Sequence, residues 1–146
     1  MPSDLKILAS NWGFTGTIEE YLSLLKEDGY DGTEILWPPE KSEQKKLVSI
    51  LQSNKIQAGL LCAAFERDWK GHLNSFKNLV GSALSSGLNP LYINCHSGRD
   101  FYIFQQNASF IDYTIEQSKQ SGVMICHETH RARMEIRGKC AFELVG

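Results

Sequence analysis

Leu91-Tyr-Ile-Asn-Cys-His-Ser-Gly-Arg99 begins as an apolar run and ends in Asn94, His96, Ser97 and Arg99. Asn89-Pro90 leads into it, and Leu91–Cys95 is predicted as a strand. The helix before it carries Trp69, Leu73, Phe76, Leu79, Val80, Ala83 and Leu84 and stops at Gly87. A second helix follows, from about Asn107 to Gln120, with Phe110, Ile111 and Ile115 on one side, and then a strand at Val123–Cys126. The same alternation extends towards the N-terminus. Ala58–Phe65 has the continuous apolar character of a strand covered on both faces, and Ser42–Asn54 is a polar helix with Leu47, Val48 and Leu51 as its buried stripe. Thr33–Trp37 is a strand broken by Pro38-Pro39. Thr17-Ile-Glu-Glu20 is a capping box that opens a helix ending near Gly29, and Leu5–Ser10 is the first strand.

Strand starts therefore recur about 30 residues apart, the length of a strand–helix unit, which predicts an α/β protein with a parallel sheet. An open doubly wound sheet and a (β/α) barrel both fit this order. An eightfold barrel takes about 250 residues, so a chain of 146 holds about four and a half units and is either an open five-stranded sheet or the front part of a barrel.

Composition narrows the function classes. Hydrophobic residues make up 42% and charged residues 22%, enough for a core and unlike a disordered chain. With 15 Lys and Arg against 17 Asp and Glu, the net charge is −2, which makes nucleic acid a poor partner. No apolar run approaches the 18 or so residues of a membrane span, and the N-terminus lacks the shape of a secretion signal. Four scattered cysteines do not make a disulfide scaffold. The expected setting is the cytoplasm, with no membrane partner. Cys62, Cys95 and Cys126 recur on successive strands without a close C-x-x-C pair and are expected as small core residues. The Trp and Phe residues of the third helix are likewise expected in the core.

In parallel α/β folds, ligand groups sit at the carboxyl ends of the strands. Those ends carry Asn11 and Trp12, Glu34 and Trp37, Glu66, then Asn94, His96, Ser97 and Arg99, then His127 to Arg131. Successive strand side chains alternate in face. Tyr92, Asn94 and His96 therefore share one face, as do Cys126, Glu128 and His130. If these faces coincide, Glu128 and His130 converge with His96 and with Glu34. A carboxylate among imidazoles suits a divalent metal or proton transfer beside a carbonyl.

Three segments, Gly29-Tyr-Asp-Gly-Thr-Glu34-Ile-Leu, Tyr92-Ile-Asn-Cys-His96-Ser-Gly and Cys126-His-Glu128-Thr-His130, together resemble the xylose-isomerase-like TIM-barrel superfamily of sugar-phosphate isomerases and epimerases. The resemblance covers residues 5 to 131, so residues 1–131 are taken as the N-terminal part of such a barrel and 132–146 as a divergent tail. It implies that Glu128 is the catalytic, metal-ligating glutamate. It also implies that Glu34, His96 and His130 line the substrate site, and Trp12, at the end of the first strand, is expected to bind substrate with them. The chemistry implied is metal-assisted 1,2-enediol proton transfer on a small sugar or hydroxy-carbonyl substrate, with Mn, Mg or Zn as the ion. Family members take further ligands and a second glutamate from later strands, and from Arg133 onward this sequence departs from the pattern. The expectation is a truncated or frameshifted form whose activity stays open. Exposed sheet edges would favour a homo-oligomer, and the alternative is a non-catalytic fragment that binds a ligand or subunit through its open sheet edge.

Overall fold

Thr17 starts the first helix as the sequence predicts. Its hydroxyl accepts from the Glu20 amide at 3.2 Å, and the Glu20 carboxylate accepts from the Thr17 amide at 2.7 Å. The helix ends just before Gly29, whose φ of +76° is a left-handed conformation that favours glycine. The computed structural model describes residues 5–134. Its elements are β1 (Leu8–Ser10), α1 (Ile18–Glu27), β2 (Gly32–Leu36), α2 (Lys41–Asn54), β3 (Gln57–Ala63), α3 (Trp69–Leu84), β4 (Ile93–His96), α4 (Phe104–Ser121) and β5 (Ile125–His127). All five expected strands and all four helices are present, with shifted ends. The first strand is shorter than Leu5–Ser10, since Leu5 and Ile7 lie exposed ahead of β1. The third helix stops at Leu84, before Gly87.

The strands are parallel and stand in the order β1-β2-β3-β4-β5. One core cluster joins Leu22 and Leu25 of α1, Leu47 and Leu51 of α2, Phe76 and Val80 of α3 and Phe110 of α4. The strands contribute Ile35 of β2, Leu60 and Cys62 of β3, and Ile93 and Cys95 of β4. These are alternate positions, so all four helices cover the same face of the sheet. Sequential order with like-handed crossovers is the barrel winding, not the doubly wound one. The described residues form an α/β fold, a partial (β/α) barrel of four and a half units.

Each large apolar side chain in that cluster contributes roughly 1.5–3 kcal/mol by leaving water. The opposite face of the sheet, which would line a barrel's interior, carries Glu34, Leu36, Gly59, Leu61, Ala63, Asn94, His96 and Cys126. Cys62 and Cys95 are buried as expected, but Cys126 is exposed. It shares the uncovered face with Asn94, its register partner, and β5 has no further strand beside it among the described residues. Arg133 and Met134 pack inward at the carboxyl rim. Residues 135–146 of the expected tail, with Cys140, lie outside the described residues. Among the described residues no helix is long and apolar enough to cross a membrane.

Candidate functional site

Register decides which polar side chains meet. Glu34 pairs with Gly59, Leu61 with Asn94, Ala63 with His96, and Asn94 with Cys126. Beyond β5 the ladder continues through the Glu128 amide, which donates to Cys95 O at 3.0 Å. This bond holds Glu128 on the face shared by Asn94 and His96.

A polar chain crosses that face. The Tyr92 hydroxyl donates to Glu34 Oε2 at 2.8 Å. Asn94 Nδ2 donates to the same oxygen at 3.3 Å and to Glu128 Oε2 at 2.7 Å. Glu128 Oε2 lies 3.0 Å from His96 Nε2, within ion-pair distance, although the ring N–H is not aligned for a hydrogen bond. The His96 and His130 rings stand 4.5 Å apart between centroids. Two carboxylates from strands three apart are thus drawn together by one amide.

Gly59 makes the crossing possible. Tyr92 spans β3 to reach Glu34, and a methyl group at residue 59 would lie 2.5 Å from Tyr92 Cζ. Burial pushes the Tyr92 hydroxyl well above its ordinary pKa, and the bond to Glu34 adds to this, so it remains a donor. Partial burial raises the Glu128 pKa, but His96 and Asn94 more than reverse this and hold the carboxyl below its ordinary 4.5. At neutral pH Glu128 is an ionised acceptor, able to take a proton.

Four of the five expected site residues meet in this way: Glu34, His96, Glu128 and His130. Trp12 does not join them. It sits in the turn after β1, with its amide bonded to Ser10 Oγ and 75% of the residue exposed. The bridging residues Tyr92 and Asn94 were legible only as sharing a face with His96. Their bonds depend on cross-strand register, which sequence spacing does not carry.

His127 occupies the opposite face. Thr114 donates to Ile111 O, so its oxygen accepts from His127 Nε2 at 2.7 Å. Nδ1 then accepts from Ser97 Oγ at 2.5 Å, as a neutral imidazole requires. Burial holds the His127 pKa down at about 4, in keeping with that tautomer. This histidine ties β5 to α4 and to the loop after β4, and takes no part in the uncovered face.

Among the described residues, no three His, Cys, Asp or Glu side chains are grouped to hold a metal ion. Glu128 Oε2 is already engaged by Asn94 and His96. The described residues do not by themselves fit the divalent ion implied by the resemblance, and the chemistry below rests on side chains alone. The chain matches no family model and no curated protein.

Proposed function

We propose that the uncovered face carries an isomerase or epimerase site for a small sugar or another hydroxy-carbonyl compound. The observation that carries this reading is the ionised Glu128 carboxylate beside His96, anchored by Asn94 at the carboxyl end of the sheet. Glu128 takes a proton from the carbon next to the carbonyl and returns it to the adjacent carbon or to the opposite face of the same carbon. In the 1,2-shift, a hydroxyl proton also moves to the former carbonyl oxygen, and the His96 N–H donates to the oxygens between which it passes. Glu34, steadied by Tyr92, accepts from a substrate hydroxyl, and His130 flanks His96. The resemblance to sugar-phosphate isomerases supports the same assignment.

Carbon–deuterium exchange in heavy water, followed by NMR over a panel of three- to six-carbon aldoses and ketoses, tests it. Glu128→Gln keeps the shape and removes the base, and should slow exchange by about 10²–10⁴-fold. Exchange that is absent for every sugar, or equal in the variant, sinks the reading. A second reading, subunit binding through the sheet edge, is favoured by β1 and β5, each paired on one side only among the described strands. Sedimentation velocity separates them, because a purely monomeric chain removes the second reading.

A further inference from the structure

Leu36 and Ala63 end β2 and β3, and beside them opens a cleft of about 780 Å³ between α2 and α3. Its volume is in the range of small-molecule sites, about 300–1,000 Å³. None of Glu34, His96, Glu128 and His130 lines it. We propose that this cleft holds the second ring of a reducing disaccharide whose open-chain end is the reacting sugar, a reading that rests on the proposed isomerase site and specifies what it binds.

Leu36, Trp37, Leu79 and Phe65 make the apolar part of the lining, and Phe65 is 68% exposed. Such side chains suit the C–H faces of a sugar ring. The polar part has bonding capacity to spare. Glu66 accepts from Ser75 Oγ and, at 3.1 Å, from the Phe65 amide. An ionised carboxylate offers about four acceptor positions, so half of them stay available. Partial burial raises the Glu66 pKa, but the bonds from Ser75 and from the backbone more than reverse this and keep it ionised at neutral pH. Asn78 lines the cleft from α3, and its amide makes no side-chain hydrogen bond among the described residues. Lys41 stands on the α2 side without a carboxylate partner among the described residues, where the one ion pair joins His96 and Glu128.

These groups select against charge. An anion in the cleft meets the Glu66 carboxylate, and an amine meets the Lys41 ammonium, so either ionic ligand gains a like-charge neighbour. A neutral polyol gains none. Adjacent hydroxyls donate to the free positions of one carboxylate, and an amide that both donates and accepts matches a hydroxyl that does the same. The position agrees with the proposed chemistry. Ala63, in the lining of the cleft, is in register with His96, and Leu36 follows Glu34 by two residues on the same face. Neighbouring strands lie about 4.8 Å apart, so the cleft begins within about one sugar ring of His96, on the side away from Glu128. A monosaccharide held at His96 and Glu128 leaves it unfilled.

Calorimetric titration of the full chain with cellobiose, maltose and lactose, with glucose as the comparison, tests the cleft. At least one disaccharide should bind roughly tenfold more tightly than glucose, as one or two further hydrogen bonds provide. Asn78→Ala should bring that disaccharide down to the affinity of glucose, and Glu66→Gln should weaken it in the same direction. Because Glu66 also holds the Phe65 amide, circular dichroism must show Glu66→Gln folded. Asn78→Ala decides the matter if it is not. Carbon–deuterium exchange on the same sugars separates this proposal from the isomerase reading. A disaccharide preference that Asn78→Ala abolishes, with no exchange on any sugar, keeps the cleft as a sugar site and removes the isomerase. Exchange on monosaccharides, with no disaccharide bound more tightly than glucose, does the reverse. Absent disaccharide binding, or a preference unchanged in Asn78→Ala, overturns the proposal.

Discussion

The two faces of the sheet are built from the same strands and do opposite work. On the covered face, Ile35, Leu60, Cys62, Ile93 and Cys95 meet the four helices in one apolar cluster. A step of one residue along β2 or β4 leads to Glu34, Asn94 and His96, whose contacts are polar and run across the strands instead of up to helices. Histidine shows the contrast most clearly. His127 on the covered face is neutral and fully bonded to Ser97 and Thr114, while His96 faces a carboxylate and a second imidazole. Apolar packing and the cross-strand polar chain are thus separated here by a single side-chain alternation. Substitutions on one face should move folding, and those on the other should move function.

The largest effect is expected on the covered face. Phe76 is fully buried and packs against Phe110 with ring centroids 5.2 Å apart. Phe76→Ala should cost about 3–5 kcal/mol in urea unfolding, and a loss below about 1 kcal/mol would refute the assignment of that face as the stabilising one.

Acid should weaken the covered side of the sheet first. His72 and His127 have folded-state pKa values near 4 against an ordinary 6.5, so the unfolded chain takes up protons first as pH falls. Their contribution is fully present above about pH 6.5 and is lost on the way down to about pH 4, by up to about 3 kcal/mol each. Glu66 and Glu128, with lowered pKa values, add to the loss only below their ordinary 4.5. Denaturant midpoints at pH 7 and pH 5 should therefore differ in the parent and differ less in His127→Gln.

Gly59→Ala probes the uncovered face by geometry. The new methyl group drives the Tyr92 ring off its line to Glu34, at a cost of about 1–3 kcal/mol from overpacking. The ultraviolet titration of Tyr92 should shift downward towards the ordinary phenol range, and an unmoved titration would show that the crossing over β3 is not what raises it. The smallest effect belongs to neither face. Thr17→Ala removes the α1 cap and should cost about 1 kcal/mol, measurable by thermal unfolding without change in carbon–deuterium exchange.

Much of this architecture was legible because it is local. Capping at Thr17, the stop at Gly29, and the rhythm of apolar strands and amphipathic helices depend on neighbours within a few residues, and they fix the order of elements and the parallel sheet. Alternation along β4 and β5 likewise put Tyr92, Asn94 and His96 on one face, and Glu128 with His130 on another. That those two faces are the same one came from the winding of the chain. Strand order is a long-range choice, and the sequential winding that covers one side of the sheet leaves Glu34, Asn94 and Glu128 in reach of one another. It also left Trp12 in solvent, put Cys126 on the open side, and brought Arg99 and Arg133 to adjacent carbonyls from loops more than thirty residues apart. Spacing within a strand determines where a side chain points, whereas register and winding decide what it meets.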